Sequence, residues 1–134
     1  MIRSDDTGKL ILRVALGILI LLHGIAKINS GVGFVSNMLV SHGLPGALAY
    51  LVYVGEIVAP VLLIIGLYTR PAAWIVAINM LVAVWLVHMK QIGMLNKQGG
   101  WELELQGLFL FSAMAVAFLG AGRFSIGGTG GRYN

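Results

Sequence analysis

The chain reads as an all-α integral membrane protein: a four-helix up-down bundle with a short interfacial helix in its first loop. Three observations carry this. The 134 residues are 58% apolar and only 10% charged, whereas a soluble domain carries about 25% charged residues. With a mean hydropathy of +0.91, too few charges remain to build a wetted surface. Apolar runs approaching the ~20 residues of a membrane span recur along the chain, and the connections after the second run are short, which makes neighbouring helices antiparallel.

The spans follow in order. A tail over 1–9 precedes the first, Leu10 to Ile28. No small-residue cleavage signature follows that run, and Lys27 closes it instead, so it reads as an uncleaved span rather than a signal peptide. The loop from Asn29 to Ala47 holds "GFVSNMLVSHGLPG", with Phe34, Met38 and Leu39 near one face of a helix too short to span and Gly43 placed to cap it. The second span is Leu48 to Tyr68. "LYTRPAAW" makes a tight turn, with Pro71 suited to the start of the third span, Ala72 to Met89. Gly99 and Gly100 break the chain before the fourth, Leu103 to Leu119. Residues 10–122 form the bundle, and 123–134 are a Gly-rich, flexible tail.

Charge sets orientation and excludes some functions. Arg3, Lys9, Arg13, Arg70, Arg123 and Arg132 fall on the side of both termini, against Lys27, Lys90 and Lys97 on the other. This bias places both termini in the cytoplasm. Tyr50, Tyr53, Trp85 and Trp101 then mark the outer interface, and Tyr68 and Trp74 the inner one. The net charge of +4 is spread over tails and loops that flank apolar runs, so the partner is the lipid bilayer and not nucleic acid. The chain has no cysteine, which excludes disulfides, thiol nucleophiles and Cys-ligated clusters. Redox chemistry here needs a cofactor, a quinone or a partner protein.

Antiparallel order brings the polar residues of the spans to one end. His23 and Lys27 end the first helix there, Glu56 lies about two turns inside the second, His88 ends the third, and Trp101, Glu102 and Glu104 begin the fourth. A charge deep in a membrane costs at least ~2.5 kcal/mol. Glu56 therefore faces inward and pairs or stays protonated, and Lys27 is its nearest cation. Pro60 has no N–H and frees the Glu56 carbonyl for a ligand's donor group or a water. Glu102 and Glu104 project about 160° apart. Glu104 is taken as the inward carboxylate, although Gln106 lies on the side of Glu102. At the other end, Arg13 reaches lipid phosphates or Asp5 and Asp6, and Arg70 braces its own junction through last-turn carbonyls. Asn79 makes an interhelical hydrogen bond. Gly17, Gly24, Gly55 and Gly66 permit close helix contacts.

The order of "LRVALGILILLHGIAKI", "GLPG", "GEIVAPVLLIIGLYTRPAAW", "NMLVAVWLVH", "WELELQ" and "GAGRFSI" resembles the DoxX family of small four-helix bacterial membrane proteins, from about Lys9 to Ile126. The resemblance implies a bacterial inner-membrane protein. It also implies an association with thiosulfate:quinone oxidoreductases or with membrane oxidoreductase complexes that handle sulfur or oxidative stress. Lys27, Glu56, Arg70, His88 and Glu104 occupy the family's recurring polar positions. Where relatives often finish with Ser-Leu-Asp, this chain has Ser125, Ile126 and Gly127.

The expected function is that of a membrane component of an oxidoreductase system, acting on quinone or with a redox partner protein through a polar pocket at the outer end. Glu56 with His23 or His88 would exchange protons, Lys27 would stabilise an anionic headgroup, and Glu104 would complete the pocket. Trp101, Trp85 and Arg70 are the cofactor-contacting candidates. A haem held by His23 and His88 is disfavoured, since lone histidines in bundles usually serve as hydrogen-bonding groups. The alternatives are a small-solute or proton transporter, which four short helices would support best as a homo-oligomer, and a non-catalytic membrane scaffold.

Overall fold

The first apolar run is helical well beyond its apolar part: α1 covers Ser4–Ser30, with Asp5 and Asp6 in its first turn, where the helix dipole favours anions. The structure is a computed structural model and describes residues 4–134; Arg3, counted above for orientation, lies outside the described residues. α2 is the short helix Gly33–Ser41, closed at Gly43 (φ +79°). α3 spans Gly46–Ile65 and α4 Thr69–Gln91. The last helix, α5, is Glu104–Leu119.

Two local features come straight from sequence. Pro60 lacks an N–H, and the turn before it widens to a π turn over Val54–Val58, with the Ala59 N–H donating to the Val54 carbonyl. Pro71 sits in the first turn of α4, where its missing donor costs nothing.

α1, α3 and α4 are long and apolar enough to cross a membrane. α5 has 16 residues, about 24 Å at 1.5 Å per residue, shorter than a ~30 Å hydrocarbon core. The outward faces are predominantly apolar: Leu22, Ile78, Leu108 and Phe118 are all more than half exposed. In water that would be an extensive sticky surface; against lipid it carries no penalty. The chain is a multi-pass membrane protein.

α1 lies against α3 along a glycine seam. A Cβ on Gly17 would stand 2.9 Å from the Pro60 carbonyl oxygen, and one on Gly24 would run into the Glu56 carbonyl. Backbone touches backbone here because nothing intervenes. α4 lies against α5 through the buried Ala72, Ala73, Val76, Ala113, Val116 and Ala117. A second, smaller core of Val32, Leu39, Ala49 and Leu86 seats α2 over the far end of α3 and α4.

The arginines depart from the sequence expectation. Arg13 does not reach lipid. It is 1% exposed, and its guanidinium donates to the carbonyls of Leu63 (2.7 Å) and Ile64 (3.0 Å) at the end of α3 and to that of Phe124. Arg70 does not brace its own junction. It donates to Ala117 (3.0 Å) and Phe118 (2.7 Å) at the end of α5. Last-turn carbonyls have no partner within their own helix, none in hydrocarbon, and they form the negative end of the dipole. A cation from the neighbouring helix answers all three needs. The α1–α3 and α4–α5 hairpins thus end alike, each on a glycine of positive φ, Gly66 (φ +74°) and Gly120 (φ +82°), beside an arginine.

The Gly-rich segment expected to be flexible folds back instead. Ile126 and Gly127 N–H groups donate to the carbonyls of Ile65 and Gly66, both at 3.0 Å. Buried Asn134 accepts from the Thr69 N–H (3.1 Å) and hydroxyl (2.9 Å) through Oδ1.

Candidate functional site

Near the end of α1, the Lys27 ammonium lies 2.8 Å from Glu56 Oε1. The two partners differ in burial: the Glu56 side chain is 7% exposed and that of Lys27 29%. Lys27 reaches inward from a helix end, while Glu56 sits nearly buried on the π turn of α3. The Tyr53 hydroxyl donates to the Lys27 carbonyl at 3.1 Å and pins the end of α1 to α3. The Glu56 carbonyl freed by Pro60 packs on Gly24, a closure that sequence alone could not specify.

The pair opens onto a cavity of about 650 Å³, within the range of small-molecule sites. Its walls come from α1, α2, α3 and α4, and along α4 it runs from Ile75 to His88, roughly 20 Å at 1.5 Å per residue. The lining is apolar except for Lys27, Glu56, Asn79 and His88, with Trp85 the largest ring. Phe34, Val35 and Leu39 of α2 close one end. Trp85 is held there by His42, ring to ring at 4.9 Å.

Asn79 departs from expectation. Its amide makes no hydrogen bond among the described residues. It lies instead against Gly55, where an added Cβ would come within 2.7 Å of Asn79 Cγ.

His88 is fixed by two glutamines: Nδ1 is 2.7 Å from Gln91 Oε1, and Nε2 is 3.5 Å from Gln106 Nε2. Gln106 is thus the polar residue that α5 turns toward the site. Both Glu102 and Glu104 are exposed, so Glu104 is not an inward carboxylate. The helix begins at Glu104, with Leu103 just before it taking the inward place at 1% exposure. The Glu104 carboxylate stands over Gly100.

The other candidates are not brought to the cavity. His23 is exposed on α1, with its ring 5.8 Å from that of Phe109. Trp101 donates its indole N–H to the Ile92 carbonyl at 2.8 Å and lays its ring on Gly107. Arg70 lies at the opposite end of the bundle, bonded to α5. Since His88 lines the cavity and His23 does not, the pair that a bis-His haem needs does not share one chamber. Among the described residues no cluster of three or more metal-ligating side chains occurs. Sequence reasoning missed Gln106 and Tyr53 as contributors. The extra glutamine on the Glu102 side was the one available hint.

The DoxX family profile matches residues 8–89. A Bacillus subtilis (strain 168) protein named "Putative oxidoreductase CatD" is 32% identical over 110 residues, covering 82% of this chain and 81% of that protein. A Haemophilus influenzae (Rd) protein described only as uncharacterized is 37% identical over 114 residues, covering 83% and 81%. No solved structure matches significantly.

Proposed function

The chain belongs to the DoxX family, and on that premise we propose that it is the membrane-embedded component of an oxidoreductase system, binding a quinone headgroup at the Lys27–Glu56 pair. One observation carries the reading: a buried carboxylate and an ammonium, 2.8 Å apart, share an apolar cavity large enough for a small molecule. The relative named as an oxidoreductase supports the same chemistry. In this reading all four long helices span a bacterial inner membrane in up-down order, both termini are cytoplasmic, and the cavity lies toward the outer leaflet.

The roles follow from the charges. Reducing a quinone adds electrons and an equal number of protons. This chain has no cysteine to supply electrons by thiol chemistry; in this reading they come from a redox partner protein. Lys27 holds negative charge as it develops on a headgroup oxygen. Glu56 exchanges a proton with that oxygen, and His88, tethered by Gln91 and Gln106, relays protons from the helix end. Trp85 stacks on the ring. His23, Glu104, Trp101 and Arg70 take no direct part.

The test is mass spectrometry of an organic extract of the purified protein, followed by quinone titration in nanodiscs. A co-purifying quinone is expected from wild type and not from Glu56→Gln that remains folded. Wild-type protein that neither carries nor binds quinone refutes the proposal and leaves the pair as a structural lock.

A further inference from the structure

We propose that the cavity takes a lipid-borne ligand laterally from the bilayer, between α3 and α4, and that Asn79 anchors its head by hydrogen bonding to a carbonyl-type oxygen. This rests on the quinone reading of the site and specifies the ligand and the residue that selects it.

Three observations point the same way. First, the Asn79 amide has no partner among the described residues, although it lies in the middle of α4 and lines the cavity. A primary amide facing hydrocarbon without a hydrogen bond is unfavourable, and in membrane helices such groups normally find one. The cavity is the space this amide faces. Gly55 leaves it room: with any side chain there, the amide would be displaced. Gly55 directly precedes Glu56, so the free amide and the carboxylate present themselves at one depth.

Second, the shape is that of a head with a tail. The cavity follows α4 for roughly 20 Å, about two-thirds of the hydrocarbon thickness, far longer than one ring. Third, the walls show where access lies. Leu51, Val54, Ile78 and Val82, all cavity-lining, are 40–62% exposed on the lipid-facing side of α3 and α4. At the helix end Leu39 and Leu86 are nearly buried, and the exposed lining residues there, Phe34, Leu48 and Trp85, are apolar as well. A water-soluble ligand meets apolar packing, while a lipid-dissolved one meets an open slot.

The amide offers two donors and an acceptor. Alongside the Lys27 ammonium it suits a neutral head bearing carbonyl oxygens, and the apolar slot suits a prenyl or acyl tail.

The experiment compares wild type, Asn79→Leu, Ile78→Trp and Glu56→Gln in nanodiscs. Each binds a benzoquinone with and without a prenyl tail, read by tryptophan fluorescence, and each is unfolded thermally. Asn79→Leu is expected to weaken both probes by about tenfold, one hydrogen bond's worth. Its unfolding midpoint should stay or rise, because an unpaired amide has been replaced by an apolar side chain. Ile78→Trp, which fills the slot, should weaken only the tailed probe. Binding that survives Asn79→Leu but falls in Glu56→Gln overturns this inference and leaves the site intact. A lowered midpoint with a changed oligomer size overturns it too, since the amide would then pair between copies. Wild type that binds neither probe removes the quinone reading, and this inference with it.

Discussion

Removing either partner of the Lys27–Glu56 pair should have unequal effects, because the two groups are unequally placed. Lys27→Met keeps the aliphatic stem and removes the ammonium. The carboxylate it leaves behind is 7% exposed, on a π turn inside the bundle, with an apolar cavity before it. Stripping a buried charge of its partner costs about 3–5 kcal/mol. Glu56→Gln keeps shape and one acceptor oxygen. The ammonium left behind is 29% exposed, near a helix end, on a stem long enough to reach the interface. That loss amounts to about 1.5–3 kcal/mol, a hydrogen bond to a charged group. Lys27→Met should therefore be the more destabilising by about 2 kcal/mol, and the double variant should sit near Glu56→Gln alone. The assay is SDS-driven unfolding in mixed micelles, followed by far-UV circular dichroism and treated as a double-mutant cycle. Equal single losses would mean that Lys27 is as trapped as Glu56. Strict additivity would mean that the pair does not form.

Arg13→Met should orphan the carbonyls of Leu63, Ile64 and Phe124 and lower stability by about 3 kcal/mol or more. Arg13→Lys should recover only part of it, lacking the planar fork; full recovery would count against the capping geometry. Gly24→Ala should separate α1 from α3 at a cost of roughly 1–3 kcal/mol, and more than Gly17→Ala, because the obstruction at Gly24 is a backbone carbonyl closer than any neighbour of Gly17. The same micelle titration ranks the two. Asn134→Ala should remove the acceptor for Thr69. It should speed hydrogen exchange around residues 66–70 in peptide-level mass spectrometry while leaving the Lys27 end unchanged.

Some of this was legible in advance. The Lys27–Glu56 contact followed from energetics: a carboxylate that deep needs a partner, and antiparallel order offered one cation near it. Helix positions were readable to within a few residues, because hydropathy changes sharply at span ends. α1 ran further than its apolar part since its acidic first turn suits a helix start. Arg13 and Arg70 were misplaced for an equally physical reason. Their partners are backbone carbonyls, which every residue carries and no sequence pattern marks. Glu104 was misjudged because its facing depends on where α5 begins, and a shift of one residue turns a helix by about 100°.

Hydropathy and the isolated charges within apolar runs determined by themselves that this is a helical membrane protein whose intramembrane charges need internal partners. Those are sums over residue chemistry, and they hold whatever the packing. Which partners meet was decided by tertiary structure alone. The glycine seam between α1 and α3 carries Lys27 to Glu56. The start of α5 turns Gln106 inward and Glu104 out. The approach of Gly55 to α4 leaves the Asn79 amide facing the cavity. Each depends on helix rotation and contact distance at the ångström scale, to which composition and periodicity are blind.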